Sequence, residues 1–377
     1  LVALYLSTRS SIFWQSFELV NLTMPRKNAM KLSIHSVDLP LLHPFTIARG
    51  TKYAAKNVVL ILEGDFGIAY GECAPNPRYN QSQDGASVHY HQLKKEIEVV
   101  DVKDLSAIEH FYRKNYPKGG AYAAGVEMLL LDAHGKAYNK PLWKLLGCST
   151  PTTAASTYTI GISGLEELEG KLKEAAAFPI LKVKLGGEND LAMMAKIREY
   201  TDKPIRIDAN EGWKDPVYAL KMAEKMVEFG VELIEQPLAA SDRKGLVAFR
   251  KESPLPVCAD ESCEGQEDLN YLAEAFDIIN IKLMKIGSVL GGLKLSRDAQ
   301  AKGLEVMVGC MLESSLAIAA GALIGTTAKY ADLDGHVLIK DMPFSKLQTN
   351  EEFAITLSDL PGLGVQMESS LAKYELV

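Results

Sequence analysis

Charged residues recur at a nearly fixed step through the second half of the chain. Lys182 and Lys184 lie in "ILKVKLGG" (180–187), Asp208 in "IRIDANEGW", Glu235 in "ELIEQPL", Asp260 in "PVCADES" and Lys282 in "IINIKLMK", each near the carboxyl end of a short apolar run. From Lys184 onward the steps are 24, 27, 25 and 22 residues, one strand-plus-helix unit each. Three carboxylates at successive strand ends repel one another unless a cation joins them. Oxygen donors with no neighbouring His or Cys suit Mg²⁺, with Mn²⁺ as a substitute. Lys182 and Lys184 are one residue apart in a strand, so both ammonium groups leave the same face. Such a pair needs negative charge nearby, and the acidic trio supplies it.

In a closed barrel Lys184 and Lys282 would flank the ion from opposite sides. Two opposed bases beside a metal-bound carboxylate can remove an α-proton from one side and return one from the other, while the ion stabilises the charge formed between those steps. A lysine base needs a lowered pKa, which a nearby cation is expected to provide. Each residue also has a plainer role open to it: an acid ending a strand often caps a helix or pairs with a base, and Lys182 or Lys285 could be a solvated charge. The number of such residues at successive strand ends favours chemistry.

The elements that must position these residues change character near residue 150. Residues 31–72 read as β: "KLSIHSVDL" alternates, "PFTIARGTKYAAKN" reads as a polar loop, and "VVLILEGDFGIAYGE" as a hairpin. Residues 85–146 read as helices ending at Gly147. From about 152, eight apolar runs from "TTAASTYTIGI" to "KYADLDG" alternate with helical segments such as "DPVYALKMAEKMVEFG". Eight strands separated by seven helices predict an α/β fold, a closed parallel barrel of the TIM type, in preference to an open doubly wound sheet, because no GxGxxG opens any unit. The expected division is an extension outside the fold at 1–30, an α+β block at 31–150, the barrel at 151–340 and a tail at 341–377 that packs back on the first block.

Composition narrows the function classes. Among 377 residues, 47% are hydrophobic and 24% charged, with a net charge of −7. That balance suits a globular protein and argues against a nucleic-acid partner. Five scattered cysteines without a CxxC pair suggest reduced thiols in the cytoplasm. No apolar run reaches membrane-spanning length, and no membrane partner is expected. Residues 1–30 have no basic region before their apolar start and no clean small-residue cleavage site, so they make a poor secretory signal.

With these residues in place, the chain resembles the enolase superfamily in its muconate-lactonizing-enzyme-like branch, over about residues 31–365. The resemblance implies a modified TIM barrel, (β/α)7β, beneath an α+β capping domain. It makes Lys184 and Lys282 the acid/base pair, with Lys184 facing the D proton and Lys282 the L proton. Lys182 helps hold the substrate carboxylate, and Asp208, Glu235 and Asp260 bind Mg²⁺. Within the branch, "ADLDG" is similar to the dipeptide epimerases, in which an Asp-x-Asp pair holds the free α-ammonium; Asp332 and Asp334 alternate onto one face, as that role needs. A turn-forming Asp pair before Gly335 is the alternative.

The segments "PFTIARGTK" and "GECAPNPRYNQS" are similar to those of Ala-Glu epimerases acting on murein-derived dipeptides. By that likeness Arg49, with Lys52 or Arg78, pairs the carboxylates of a terminal Glu, since a guanidinium suits bidentate binding. Gly50 stands where some relatives carry the key Arg, which keeps hydrophobic dipeptides open. Thr159, Cys310 and Leu312 are expected to line the pocket. The implied function is epimerisation of a small dipeptide, with L-Ala-D/L-Glu leading, by a cytoplasmic homo-oligomer. The alternatives are an N-acylamino acid racemase, an o-succinylbenzoate synthase, or a metal-binding barrel without turnover.

Overall fold

Alternation in "KLSIHSVDL" builds β1 (Lys31–Ile47), which buries Val37 and Leu39 on one face and Leu32 on the other. In this computed structural model, which describes residues 30–265 and 267–374, β1 pairs antiparallel with β2 (Gly50–Gly64), and β2 with β3 (Gly67–Cys73). The expected extension at 1–30 lies outside the described residues except for Met30.

The segment read as a polar loop is instead the tip of the β1–β2 hairpin. Phe45 pairs with Lys52, Thr46 with Thr51 and Ile47 with Gly50, leaving Ala48 and Arg49 as the turn. The tip lies beyond the core, so no apolar alternation marks it. Its ladder is reinforced by a 2.8 Å bond between the Thr46 and Thr51 hydroxyls. Helices Gln83–Ile97, Leu105–Asn115 and Ala121–Ala137 complete this block. The last is buried along most of its length and packs on β3.

Beyond residue 150 the run "TTAASTYTIGI" divides in two. β4 (Thr152–Ala155) joins a small antiparallel sheet, and β5 (Thr157–Ile160) opens the barrel. β6 (Ile180–Lys184), β7 (Ile205–Asp208), β8 (Val231–Glu235), β9 (Val257–Ala259), β10 (Ile278–Lys282), β11 (Glu305–Gly309) and β12 (Tyr330–Asp332) follow in order, all parallel. A parallel bridge from Ser156 to Ala331 meets the seam between first and last strands. β13 (Gln348–Thr349) and β14 (Ala354–Thr356) complete the small sheet through β14–β4 pairing. The tail also touches the first block, where Leu142 N–H donates to the Gly362 carbonyl at 2.8 Å.

Buried carboxylates of the first block fasten it to the barrel at helix N-termini, where unpaired N–H groups collect. Glu72 on β3 accepts from Ser314 N–H at 2.9 Å and from Asn57 Nδ2 at 2.8 Å, at the start of helix Ser315–Gly325. Glu127 accepts from the Ser288 hydroxyl and from Val289 N–H, at the start of helix Val289–Ala301.

Burial pushes Glu127 up to about 7, outweighing the opposing pull of those hydrogen bonds. A carboxyl raised in the fold contributes stability that is complete below its unfolded pKa and lost as pH rises through the folded value. Glu127→Gln keeps the shape of the protonated acid. The variant is expected to match wild type near pH 4.5 and to exceed it by up to roughly 3 kcal/mol near pH 8. Urea unfolding at both pH values measures this; equal destabilisation at both would contradict it.

Candidate active site

The strand register places the chemistry in one row. Lys184 is aligned with Asp208, and Asp208 with Glu235, on adjacent strands. Asp260 follows β9 directly, and Lys282 ends β10, opposite β6 in the eight-strand ring. One oxygen from each of Asp208, Glu235 and Asp260 lies within 4.8 Å of the others, and all three residues are buried. Spacing, burial and donor type fit a hard divalent cation.

Lysines surround this trio. Lys184 Nζ is 2.6 Å from Asp208, and Lys282 Nζ is 2.8 Å from Asp260. Lys182 Nζ lies 2.6 Å from Glu235, 2.6 Å from Asp332 and 3.3 Å from Asp208. The like-charged pair in "ILKVK" is therefore tolerated because each ammonium faces carboxylates. Lys285, expected as a solvated charge, is buried and donates to the Asp260 carboxylate at 2.7 Å and to its carbonyl at 2.6 Å. The turn formed by Leu283–Ile286 folds it back over the site, so it is part of the charge cluster.

Burial opposes ionisation throughout, and the neighbours decide the outcome. At Asp208 the ammonium groups of Lys184 and Lys182 overcome burial and bring the pKa to about 2. Burial, then the negative charge of Asp208, raises Glu235. Burial would lower Lys282, but Asp260 and Glu235 outweigh it and hold the ammonium well above the usual range. The lowering expected of a lysine base thus requires positive charge among these acids.

A cavity of about 480 Å³ opens above the row. Lys182, Lys184, Asp260 and Lys282 form its floor, with Asp208 and Glu235 buried below. Thr159, Cys310, Leu312, Asp332 and Asp334 line the barrel side, and Arg49, Lys52 and Arg78 line the capping side. Cys310 Sγ accepts from Gly335 N–H, and the Leu312 carbonyl accepts from Asn57 Nδ2 at 3.1 Å. The two aspartates differ. Asp332 is committed to Lys182 and, at 2.5 Å, to the Thr157 hydroxyl. Asp334 accepts from Thr159, through its N–H at 2.5 Å and its hydroxyl, and no lysine or arginine among the described residues is within ion-pair distance of it. Both aspartates therefore help to tie β5 to the end of β12.

The arginines are also committed. Arg49 Nη1 is 2.7 Å from Glu261 and donates to the Asn210 carbonyl at 3.0 Å. Arg78 grips Glu211 through two bonds of 3.1 Å. The sequence reading assigned no role to Glu211, Glu261 or Gln236. Gln236 Oε1 accepts from Asp260 N–H and Ser262 N–H, each at 3.0 Å, which sets the end of β9. Its φ of 38°, like 46° at Asn210 and 67° at Glu211, is left-handed, a strained conformation that clusters at functional sites. The only sequence sign of these roles is polar residues directly after strand ends.

Two family models match the chain: a mandelate racemase/muconate lactonizing enzyme N-terminal domain over residues 29–147, and an enolase C-terminal domain-like model over 165–371. An L-Ala-D/L-Glu epimerase of Bacteroides thetaiotaomicron is 37% identical over 337 residues, covering 89% of this chain and 88% of that protein. A hydrophobic dipeptide epimerase of a Flavobacteria bacterium is 35% identical, covering 81% and 90%. The crystal structure of a dipeptide epimerase from Cytophaga hutchinsonii, complexed with Mg and D-Ala-L-Val, aligns with a TM-score of 0.83 at 25% identity, covering 92% and 98%.

Proposed function

This chain belongs to the mandelate racemase/muconate lactonizing enzyme family of the enolase superfamily, and from that premise we propose that it is an isomerase, a Mg²⁺-dependent dipeptide epimerase. It inverts the α-carbon of the C-terminal residue, with L-Ala-D/L-Glu the leading substrate. The observation that carries this reading is the opposition of Lys184 and Lys282, four strands apart in an eight-strand ring and each paired with a carboxylate of the trio.

Lys184 and Lys282 reach the α-carbon from opposite faces, so one takes its proton and the other returns one. Lys182, between them on the cavity floor, orients the substrate carboxylate. Asp208, Glu235 and Asp260 hold Mg²⁺, which when bound supplies Lewis-acid stabilisation of the charge that builds on that carboxylate. The hairpin tip and the 76–79 segment cover the cavity and restrict water.

Asp334 favours a free amine over an N-acyl group. Burial, then Asp332, pushes its carboxyl up to about 7, and a substrate ammonium beside it favours the ionised form. Asp334→Asn is expected to raise KM for free-amine dipeptides about 10- to 100-fold, with a smaller change in kcat. An unchanged kcat/KM discards the ammonium role. Apolar Phe45, Ile47 and Leu338 on the cavity wall favour hydrophobic dipeptides as the second reading.

Murein-derived peptides in the cytoplasm, handled by a homo-oligomer with no nucleic-acid or membrane partner, complete the proposal. The net charge of −7 supports the absence of a nucleic-acid partner, and five unpaired cysteines support a reducing compartment. The direct test is a dipeptide panel, with and without N-acylation, incubated in deuterated water. L-Ala-L-Glu should gain one deuterium at the glutamyl α-carbon as its epimer appears, and no exchange in any dipeptide rejects the reading.

A further inference from the structure

Six cations line the cavity, and five are already bound by the protein's own oxygens. Lys182, Lys184 and Lys282 face the acidic cluster, Arg49 is held by Glu261, and Arg78 by Glu211. Glu261 is buried, and Glu211 is further fixed by the Ala240 N–H at 2.8 Å. Both arginines therefore connect the capping segments to loops that follow barrel strands. Lys52 differs: no carboxylate among the described residues lies within ion-pair distance of it. It stands opposite Phe45 on the hairpin, and cross-strand neighbours share a face; both line the cavity. Burial and then the like charge of Arg49 act on the Lys52 ammonium; because Arg49 is itself neutralised by Glu261, Lys52 is the cation left to meet an entering anion.

We propose that Lys52 is the residue that selects an acidic side chain at the epimerised position, and that Arg49 and Arg78 are positioning residues that latch the hairpin tip and the 76–79 segment to the barrel. This rests on the dipeptide-epimerase reading. Arg49 fixes the tip, and the ladder from Ile47–Gly50 to Phe45–Lys52 then fixes where the ammonium stands over the cavity. The ligand chemistry is a carboxylate on a flexible side chain, as in glutamate.

The test compares kcat/KM for L-Ala-L-Glu and L-Ala-L-Gln, which match in shape and differ in charge. Wild type should prefer Glu. Lys52→Met should cut the Glu/Gln ratio about 10- to 100-fold, and Lys52→Arg should restore most of it. Arg49→Met should lower both substrates together and leave the ratio within about threefold, as a latch would. The assignment is overturned if Lys52→Met keeps the wild-type ratio, if Arg49→Met collapses it, or if wild type prefers Gln. Exchange in neither substrate nor any other dipeptide overturns both this assignment and the epimerase reading; exchange with an unchanged ratio overturns only the assignment.

Discussion

Lys184→Ala and Lys282→Ala each lower kcat/KM for epimerisation by at least about 10³-fold, toward the upper range for loss of a positioned acid or base. Inversion requires both lysines, because the proton leaves one face and arrives on the other. Exchange requires only one. Each variant should therefore wash deuterium into the α-position of a single epimer without producing the other. By the family assignment, Lys184→Ala retains exchange in L-Ala-L-Glu through Lys282, and Lys282→Ala retains it in L-Ala-D-Glu through Lys184. Proton NMR of both epimers in deuterated water separates these outcomes. Epimerisation at near wild-type rate in either variant would remove that lysine from the mechanism. Loss of both activities together with a large fall in melting temperature would point instead to a structural role, since Lys184 is the closest counter-charge to Asp208.

The charged row was legible before any coordinates because a barrel brings every strand end to one rim. Asp208, Glu235 and Lys282 are each the last residue of their strands, so spacing alone predicts their meeting. Lys285 shows where that logic stops. Its side chain returns to Asp260 through a short helical turn, and one charged residue beyond a strand looks the same whether it turns inward or outward. The Arg49–Glu261 and Arg78–Glu211 pairs join residues 212 and 133 positions apart. No local pattern encodes such partners, so the arginines looked free to bind substrate. The hairpin tip was hidden because Thr, Arg, Gly and Lys suit a loop as well as an exposed ladder. The division of "TTAASTYTIGI" was hidden too, since the partner of β4 comes from a tail some 200 residues away.

Glu235→Gln should abolish divalent-cation binding and lower activity by about 10³-fold or more. Glu235 lies between Asp208 and Asp260 in strand order, and its two oxygens have different partners: Asn280 Nδ2 donates to one at 2.8 Å, and the Lys182 ammonium lies 2.6 Å from the other. An amide cannot satisfy both donors as an acceptor, because one of its terminal atoms is itself a donor. The substitution thus removes a charge from the trio and turns an N–H toward either Lys182 or Asn280. Calorimetric titration with Mg²⁺ reads the loss of binding directly, independent of turnover. Thermal unfolding gives a second readout: Mg²⁺ at about 100 times its Kd should stabilise wild type by roughly 2.7 kcal/mol and leave the variant unmoved. In wild type, chelation should abolish epimerisation, and Mg²⁺ or Mn²⁺ should restore it in preference to Zn²⁺, which favours nitrogen and sulfur donors. Turnover that persists through chelation, or a variant that still binds Mg²⁺ within tenfold of wild type, would mean that the lysines alone neutralise these acids and that no ion serves the reaction.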